Sequence, residues 1–277
     1  MRAWIPLALL SVAVAALGAW VYYRPVAAGA ESGALSSLRA DEVKRIRLER
    51  ANEIVLERAN ADWRMTQPFS ARADAFQVQR LLAILEARSS ARLPATDLAR
   101  YGLDAPQAKL TLDEQTFSYG AVNTMTREQY VLTNDTVHAV ALAQRMALPR
   151  DANQLISRAL FGPGETPVRF ELPGLTVALD DGKWTTAPAA GDVSADERNA
   201  WVDAWREATA VQAARHGGGD QAGTQKITVG LKDGRTITLG ILQREPELVL
   251  LRTDESVEYR FFADSAKRLL APPQAKQ

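Results

Sequence analysis

The chain has 277 residues, with 33 basic and 33 acidic side chains and no cysteine. Zero formal net charge removes a general electrostatic attraction for nucleic acid or anionic lipid. The missing thiols exclude disulfides, thiolate nucleophiles and cysteine metal sites, and the length suffices for one or two domains.

In chain order, Met1 and Arg2 precede WIPLALLSVAVAALGAWVYY, which ends at Tyr23. This uncharged run is close to the ~20 residues that cross a hydrocarbon core. Trp4, Trp20, Tyr22 and Tyr23 lie toward its ends, where aromatic side chains favour the headgroup layer. AGA before Glu31 resembles a cleavage site, but the apolar run is longer than a signal-peptide core, so residues 1–24 read as an uncleaved transmembrane signal-anchor. Basic residues flank the run on both sides, so their count does not fix its orientation; the short head favours a body outside the membrane. Residues 25–42, small and polar, read as a linker.

The segments VKRIRLER at 43–50 and NEIVLERA at 52–59 alternate apolar and charged residues, as half-buried strands do. Trp63 closes this strand segment, and Pro68 discourages its extension. ADAFQVQRLLAILEARSS predicts a helix capped by Asp74, with Phe76, Val78, Leu81, Leu82 and Leu85 on one face. YGLDAPQAKLTL, FSYG, EQYVLT and TVHAVA supply turns and short strands, the last passing into a helix over AVALAQRMAL.

The order then repeats. VRFEL and LTVAL predict two strands, DDGKW a turn before Trp184, and Pro188 follows. Ser194 and Glu197 have capping-box spacing at the start of SADERNAWVDAWREATAVQAA. KITVGLKDGRTITLG predicts a hairpin turning at Asp233–Gly234, and ELVLLRT and VEYRFFADSAKRLL complete the unit. Trp63 to Gly120 spans 57 residues and Trp184 to Gly240 spans 56. This predicts an α+β fold with two duplicated antiparallel-sheet and helix units: 43–160, a hinge at 161–167, then 168–270 and a flexible tail at 271–277.

The segments IRLERANEIVLERANADWRMTQPFSARADAFQVQRLLAILEA, YGLDAPQAKLTL, FSYG and REQYVLT carry a resemblance to the bacterial domain of unknown function 4340 family. They cover about residues 45–133, and the second unit resembles the pattern more loosely. The resemblance implies an anchored envelope protein, and in some members an auxiliary component of an ABC transporter of the gliding-motility type. It brings no catalytic residues to this chain. It places the chain in the bacterial inner membrane as a single-pass protein with a periplasmic body.

Few residues suggest chemistry. His138 and His216 lack a dense local ligand set and read as ordinary surface or half-buried histidines. Asp180, Asp181, Asp233 and Asp254 fit turn chemistry better than a carboxylate pair. Ser36, Ser37, Ser89 and Ser90 lie in polar connectors without a nucleophile elbow. HGGGD at 216–220 lacks both phosphate-loop fingerprints and reads as a mobile loop.

Trp63 and Trp184 occupy matching positions, either as plugs between helix and sheet or as lining of matching grooves. Trp201 and Trp205 form a bulky helical stripe that suits core packing or partner docking. These four are the candidate structural or interaction anchors, and no catalytic, cofactor or metal residue is assigned. The expectation is a non-enzymatic, membrane-anchored envelope protein that binds another envelope protein, with no cofactor and no nucleic acid. A periplasmic ligand-binding or carbohydrate-processing domain is the alternative, and the oligomeric state stays open.

Overall fold

The computed structural model describes residues 33–189, 193–218 and 225–273. The expected anchor at 1–24 lies outside the described residues, as do Gly219 and Asp220 of the glycine-rich loop and the end of the tail. Among the described residues no helix is long and apolar enough to cross a membrane.

Among the described residues two antiparallel sheets dominate, with few helices. The first sheet contains β1 (Arg45–Glu49), β2 (Glu53–Ala59), β3 (Asp62–Gln67), β4 (Ala71–Arg72), β5 (Ala91–Pro94), β6 (Ala108–Leu112), β7 (Gln115–Asn123), β8 (Glu128–Thr133) and β9 (Thr136–Ala141). Its strand order is β4-β3-β2-β1-β6-β7-β8-β9-β5. The second contains β10 (Pro167–Leu172), β11 (Leu175–Asp180), β12 (Lys183–Ala187), β13 (Gln212–Arg215), β14 (Lys226–Leu231), β15 (Thr236–Gln243), β16 (Leu248–Arg252) and β17 (Val257–Phe261). Its order is β12-β11-β10-β14-β15-β16-β17-β13. The two orders superpose strand for strand, and only β4 lacks a counterpart among the described residues. The sheets are two similar units, as the tryptophan and glycine spacing predicts.

The repeat extends to registers. Arg58 faces Trp63 across the β2–β3 hairpin, and Leu179 faces Trp184 across β11–β12. Both turns are two residues long and begin with a left-handed residue, Asn60 (φ 58°) or Asp181 (φ 49°). Asn and Asp tolerate that conformation better than other side chains, which is why they stand there. Tyr119 and Ile241 open the register shifts of the β7–β8 and β15–β16 ladders, placing a bulge beside Gly120 and Gly240 in the two sheets.

Among the described residues there are four α-helices: α1 (Ala75–Leu82), α2 (Ala143–Met146) and α3 (Ala195–Arg206) between strands, and α4 (Ala263–Leu270) after the last one. The Asp74 carboxylate accepts the Gln77 amide at 3.0 Å at the start of α1. Ser194 and Glu197 form a complete capping box on α3. Three local expectations need correction. The run AVALAQRMAL gives only α2, because TVHAVA continues as β9 through Ala141. QAA at 212–214, read as the end of a helix, lies in β13, paired with β17, so sheet pairing overrides its helix-favouring composition. Trp63 and Trp184 do not close a two-strand segment but lie within third strands, β3 and β12.

By compactness the described chain divides into residues 33–42 with Leu82–Met146, and Val43–Leu81 with Ala147 onward. In the first unit, Tyr101, Leu103 and Val137 form a small buried cluster with Tyr130 and Leu132 packed against it. Gly102 (φ 63°) ends the 3₁₀ turn Ala99–Tyr101. A Cβ on Gly120 would lie 2.3 Å from the Tyr101 carbonyl oxygen, so the glycine lets this turn rest directly on β7. The YGLD and FSYG motifs are therefore two sides of one backbone contact.

In the same unit the described part of the 25–42 segment is pinned rather than loose. Ala34 bridges Arg88, Ser89 donates its amide to the Gly33 carbonyl, and Leu35 is 4% exposed. Ser36 donates to Gln115 Oε1 at 2.6 Å, and Gln115 Nε2 donates to Thr133 at 3.0 Å.

In the second unit the core is aromatic. Phe170 of β10 lies 5.2 Å from Trp201 and 5.5 Å from Trp205, ring centre to ring centre, and Trp184 stands 6.1 Å away. Tilted and edge-on geometries of this kind add to the burial of the rings.

Candidate functional site

The candidate anchors are placed unequally. Trp201 and Trp205 project from α3 into the core, 6% and 0% exposed, and Trp184 is buried beneath them. Their polar edges are satisfied internally: Trp201 Nε1 donates to the Ala271 carbonyl at 2.7 Å and Trp205 Nε1 to the Leu269 carbonyl at 3.0 Å. Buried indoles need such partners, and these bind the C-terminal end of α4 to α3. The stripe on α3 is thus internal packing. Trp63 is only half-buried, with the Arg58 guanidinium 5.7 Å from its ring, and Arg206 stands 5.5 Å from Trp184 in the other repeat.

A polar concavity of the second unit lies elsewhere. A cleft of about 530 Å³ is lined by Asp74, Gln77 and Arg80 around α1, by Asp151, Asn153 and Gln154 of a 3₁₀ turn, and by Arg158 and β13. Four of its acceptor side chains already hold backbone donors, and Gln77 Oε1 holds Arg80. Asp151 accepts the Asn153 amide at 2.9 Å, Asn153 accepts the Arg215 amide at 3.0 Å, and Gln154 accepts the Arg150 amide at 2.9 Å. With Asp74 capping α1, both carboxylates serve as caps. What the cleft offers a solute is polar surface with the guanidinium of Arg158 at its wall, which suits a polar or anionic group.

The strongest electrostatics lie at 161–167, the segment read as a hinge. Arg252, 1% exposed, gives two hydrogen bonds to Glu165 at 2.7 and 2.6 Å and one to the Leu160 carbonyl at 2.9 Å. Its Nε and Nη2 also reach Asp254, each at 3.0 Å. Beside it, Arg72 of β4 bonds Glu255 at 2.6 Å and the Tyr259 hydroxyl at 2.8 Å. Burial pushes the Glu165 carboxyl up, but the Arg252 hydrogen bonds, the Gly162 amide and the charges of Arg252 and Arg72 outweigh it and hold it below the usual carboxylate range. The geometry is that of a structural clamp: all three Arg252 nitrogens and Arg72 Nε and Nη2 are directed at other protein groups.

The remaining residues follow local logic. Asp233 accepts the Arg235 amide in its turn, and Asp180 accepts the Thr185 hydroxyl at 2.7 Å. His138 is buried in β9, 5% exposed, so it is neither a surface nor a half-buried histidine. Burial, with the Arg92 charge, pushes its imidazole below the ordinary value. His216 Nδ1 lies 2.6 Å from Glu258 Oε1. Among the described residues no group of three or more His, Cys, Asp or Glu is placed to hold a metal ion.

Sequence reasoning missed the cleft and the clamp. Both join residues distant in the chain, such as Arg72 and Glu255, and no local pattern announces them. The one signal was Arg252 inside the apolar run LVLLR, where a charge demands a buried partner.

No curated protein and no solved structure matches the chain. One family model does, over residues 63–215, more than half of the chain. The matched stretch holds β3, the YGLD turn on β7, the clamp segment and the aromatic core of α3. The chain belongs to the family described as Domain of unknown function (DUF4340).

Proposed function

We propose that this protein is a non-enzymatic, membrane-anchored envelope protein whose duplicated body binds another envelope protein, as an auxiliary subunit of an ABC-transporter-like complex. The body stands on the periplasmic side of the bacterial inner membrane, held by residues 1–24. The observation that supports partner binding is the exposed face of β12, on which an incoming protein segment could pack. Lys183, Thr185 and Ala187 are exposed along it.

Lys183 supplies its own probe. Amine-reactive crosslinking in intact native membranes, followed by mass spectrometry, should link Lys183 to a transporter subunit. Efficient labelling with crosslinks only between copies of this chain would count against the transporter role.

The polar cleft of about 530 Å³ favours a second reading, a periplasmic binding domain for a polar or anionic ligand. In that case Arg158→Ala would abolish ligand-induced thermal stabilisation while leaving the Lys183 crosslinks absent.

A further inference from the structure

The end of the first-unit sheet from which the N-terminal segment emerges gathers exposed methionine and arginine side chains. Met125, 94% exposed, sits at the tip of the β7–β8 hairpin, whose last rung pairs Asn123 with Glu128. Glu128 also faces Ala141, the last residue of β9, so α2 leaves from this same end carrying Met146, 70% exposed. Arg127 and Arg88 are exposed here and Arg145 is half-buried on α2, against two carboxylates, Glu86 and Glu128. Glu128 accepts the Ser90 hydroxyl, so it is engaged within the sheet end.

The pinned segment gives this end a direction. Ser36 is bound near Gln115 and Thr133, at the opposite end of β7 and β8, whereas Gly33 and Ala34 are bound beside Arg88 and Ser89. Followed toward its N-terminus, the chain runs toward the methionine end. A Cβ on Gly33 would meet the Arg92 guanidinium at 1.8 Å, so the backbone is seated closely where it leaves. Eight residues, 25–32, separate that exit from Arg24. Even fully extended they span no more than about 30 Å.

We propose that this sheet end is apposed to the bilayer, with Met125 and Met146 in the phospholipid headgroup layer and Arg88, Arg127 and Arg145 on lipid phosphates. The inference rests on the membrane-anchored reading above. Flexible, unbranched methionine suits an irregular apolar boundary, and arginine lays an apolar stem along that boundary while its head meets phosphate bidentately. The short reach makes the contact intramolecular in effect, so modest contact area suffices.

The chain has no cysteine, so single fluorophores can be placed by Met125→Cys, Met146→Cys and, at the far end of β7, Glu114→Cys. The full chain is reconstituted in phosphatidylcholine–phosphatidylglycerol vesicles and quenched with headgroup-labelled lipid. The expected result is at least threefold stronger quenching at positions 125 and 146 than at 114. Adding Arg88→Glu, Arg127→Glu and Arg145→Glu should abolish that difference. Equal quenching at all three sites, in chain that still floats with the vesicles, would overturn the apposition while sparing the anchor. Chain that fails to float would overturn both. Efficient 125-to-125 crosslinking between copies without lipid quenching would assign the surface to a second copy instead.

Discussion

Arg252 and Glu165 are joined by two hydrogen bonds of 2.7 and 2.6 Å, 87 residues apart in the chain. Arg252 is almost fully buried, so removing it leaves Glu165 charged without its main partner. Arg252→Met should cost about 3–5 kcal/mol in urea unfolding. Replacing both members, as Arg252→Met with Glu165→Leu, should recover part of the loss. Arg235→Ala, removing a mostly exposed guanidinium 3.8 Å from the same carboxylate, should leave the urea midpoint nearly unchanged. An Arg252→Met chain as stable as the parent would remove the clamp from the account.

The clamp and His138 set opposite limits to an acid-sensitive range. Glu165 is held below its reference value of 4.5, so the unfolded chain takes up its proton first as pH falls. Its contribution is complete above about pH 4.5 and is lost as pH drops through the folded-state value. His138 is lowered from 6.5, first by burial and then by Arg92, so its contribution begins to fall below about pH 6.5. Unfolding free energy should therefore decline in two steps on acidification. His138→Gln should flatten the upper step and Glu165→Gln the lower; a pH profile unchanged by either variant would contradict these assignments.

Gly120→Ala tests the contact between the YGLD turn and β7. The new methyl would press on the Tyr101 carbonyl oxygen at 2.3 Å, with Leu103 Cγ at 2.8 Å. Backbone cannot yield as a flexible side chain can, and a loss of about 1–3 kcal/mol is expected. Amide exchange should accelerate over Ala99–Leu103. The equally small change Gly174→Ala has open space around its Cβ but a φ of 79°, so its cost is confined to strain in the β10–β11 turn.

Trp205 tests how the terminal helix is held. Trp205→Phe keeps most of the ring but removes the bond to the Leu269 carbonyl, an expected loss of about 1 kcal/mol or somewhat more. Trp205→Ala should cost about 3–5 kcal/mol, because the residue is fully buried. Hydrogen exchange should show α4 loosening before the sheet in the phenylalanine variant. Uniform loosening of both would mean that α4 is held by other contacts.

The amino-acid sequence by itself determined the elements whose causes are local. Alternation set β1, β2 and the long hairpin strands, Asp74 and Ser194 set two helix starts, and Asn60, Asp181 and Asp233 set turns. Because each copy repeats those local causes at the same spacing, the duplication was legible too. Tertiary structure alone decided the rest. Strands β4, β5 and β13 are short edges without periodicity, formed because a neighbouring strand supplies hydrogen-bond partners. Trp201 and Trp205 became core when Phe170 and α4 closed over them, whereas their helical pattern would have served an exposed stripe equally well. The segment 161–167 holds a buried charge clamp because Arg252 arrives from a distant strand, and only the folded chain brings that charge to Glu165.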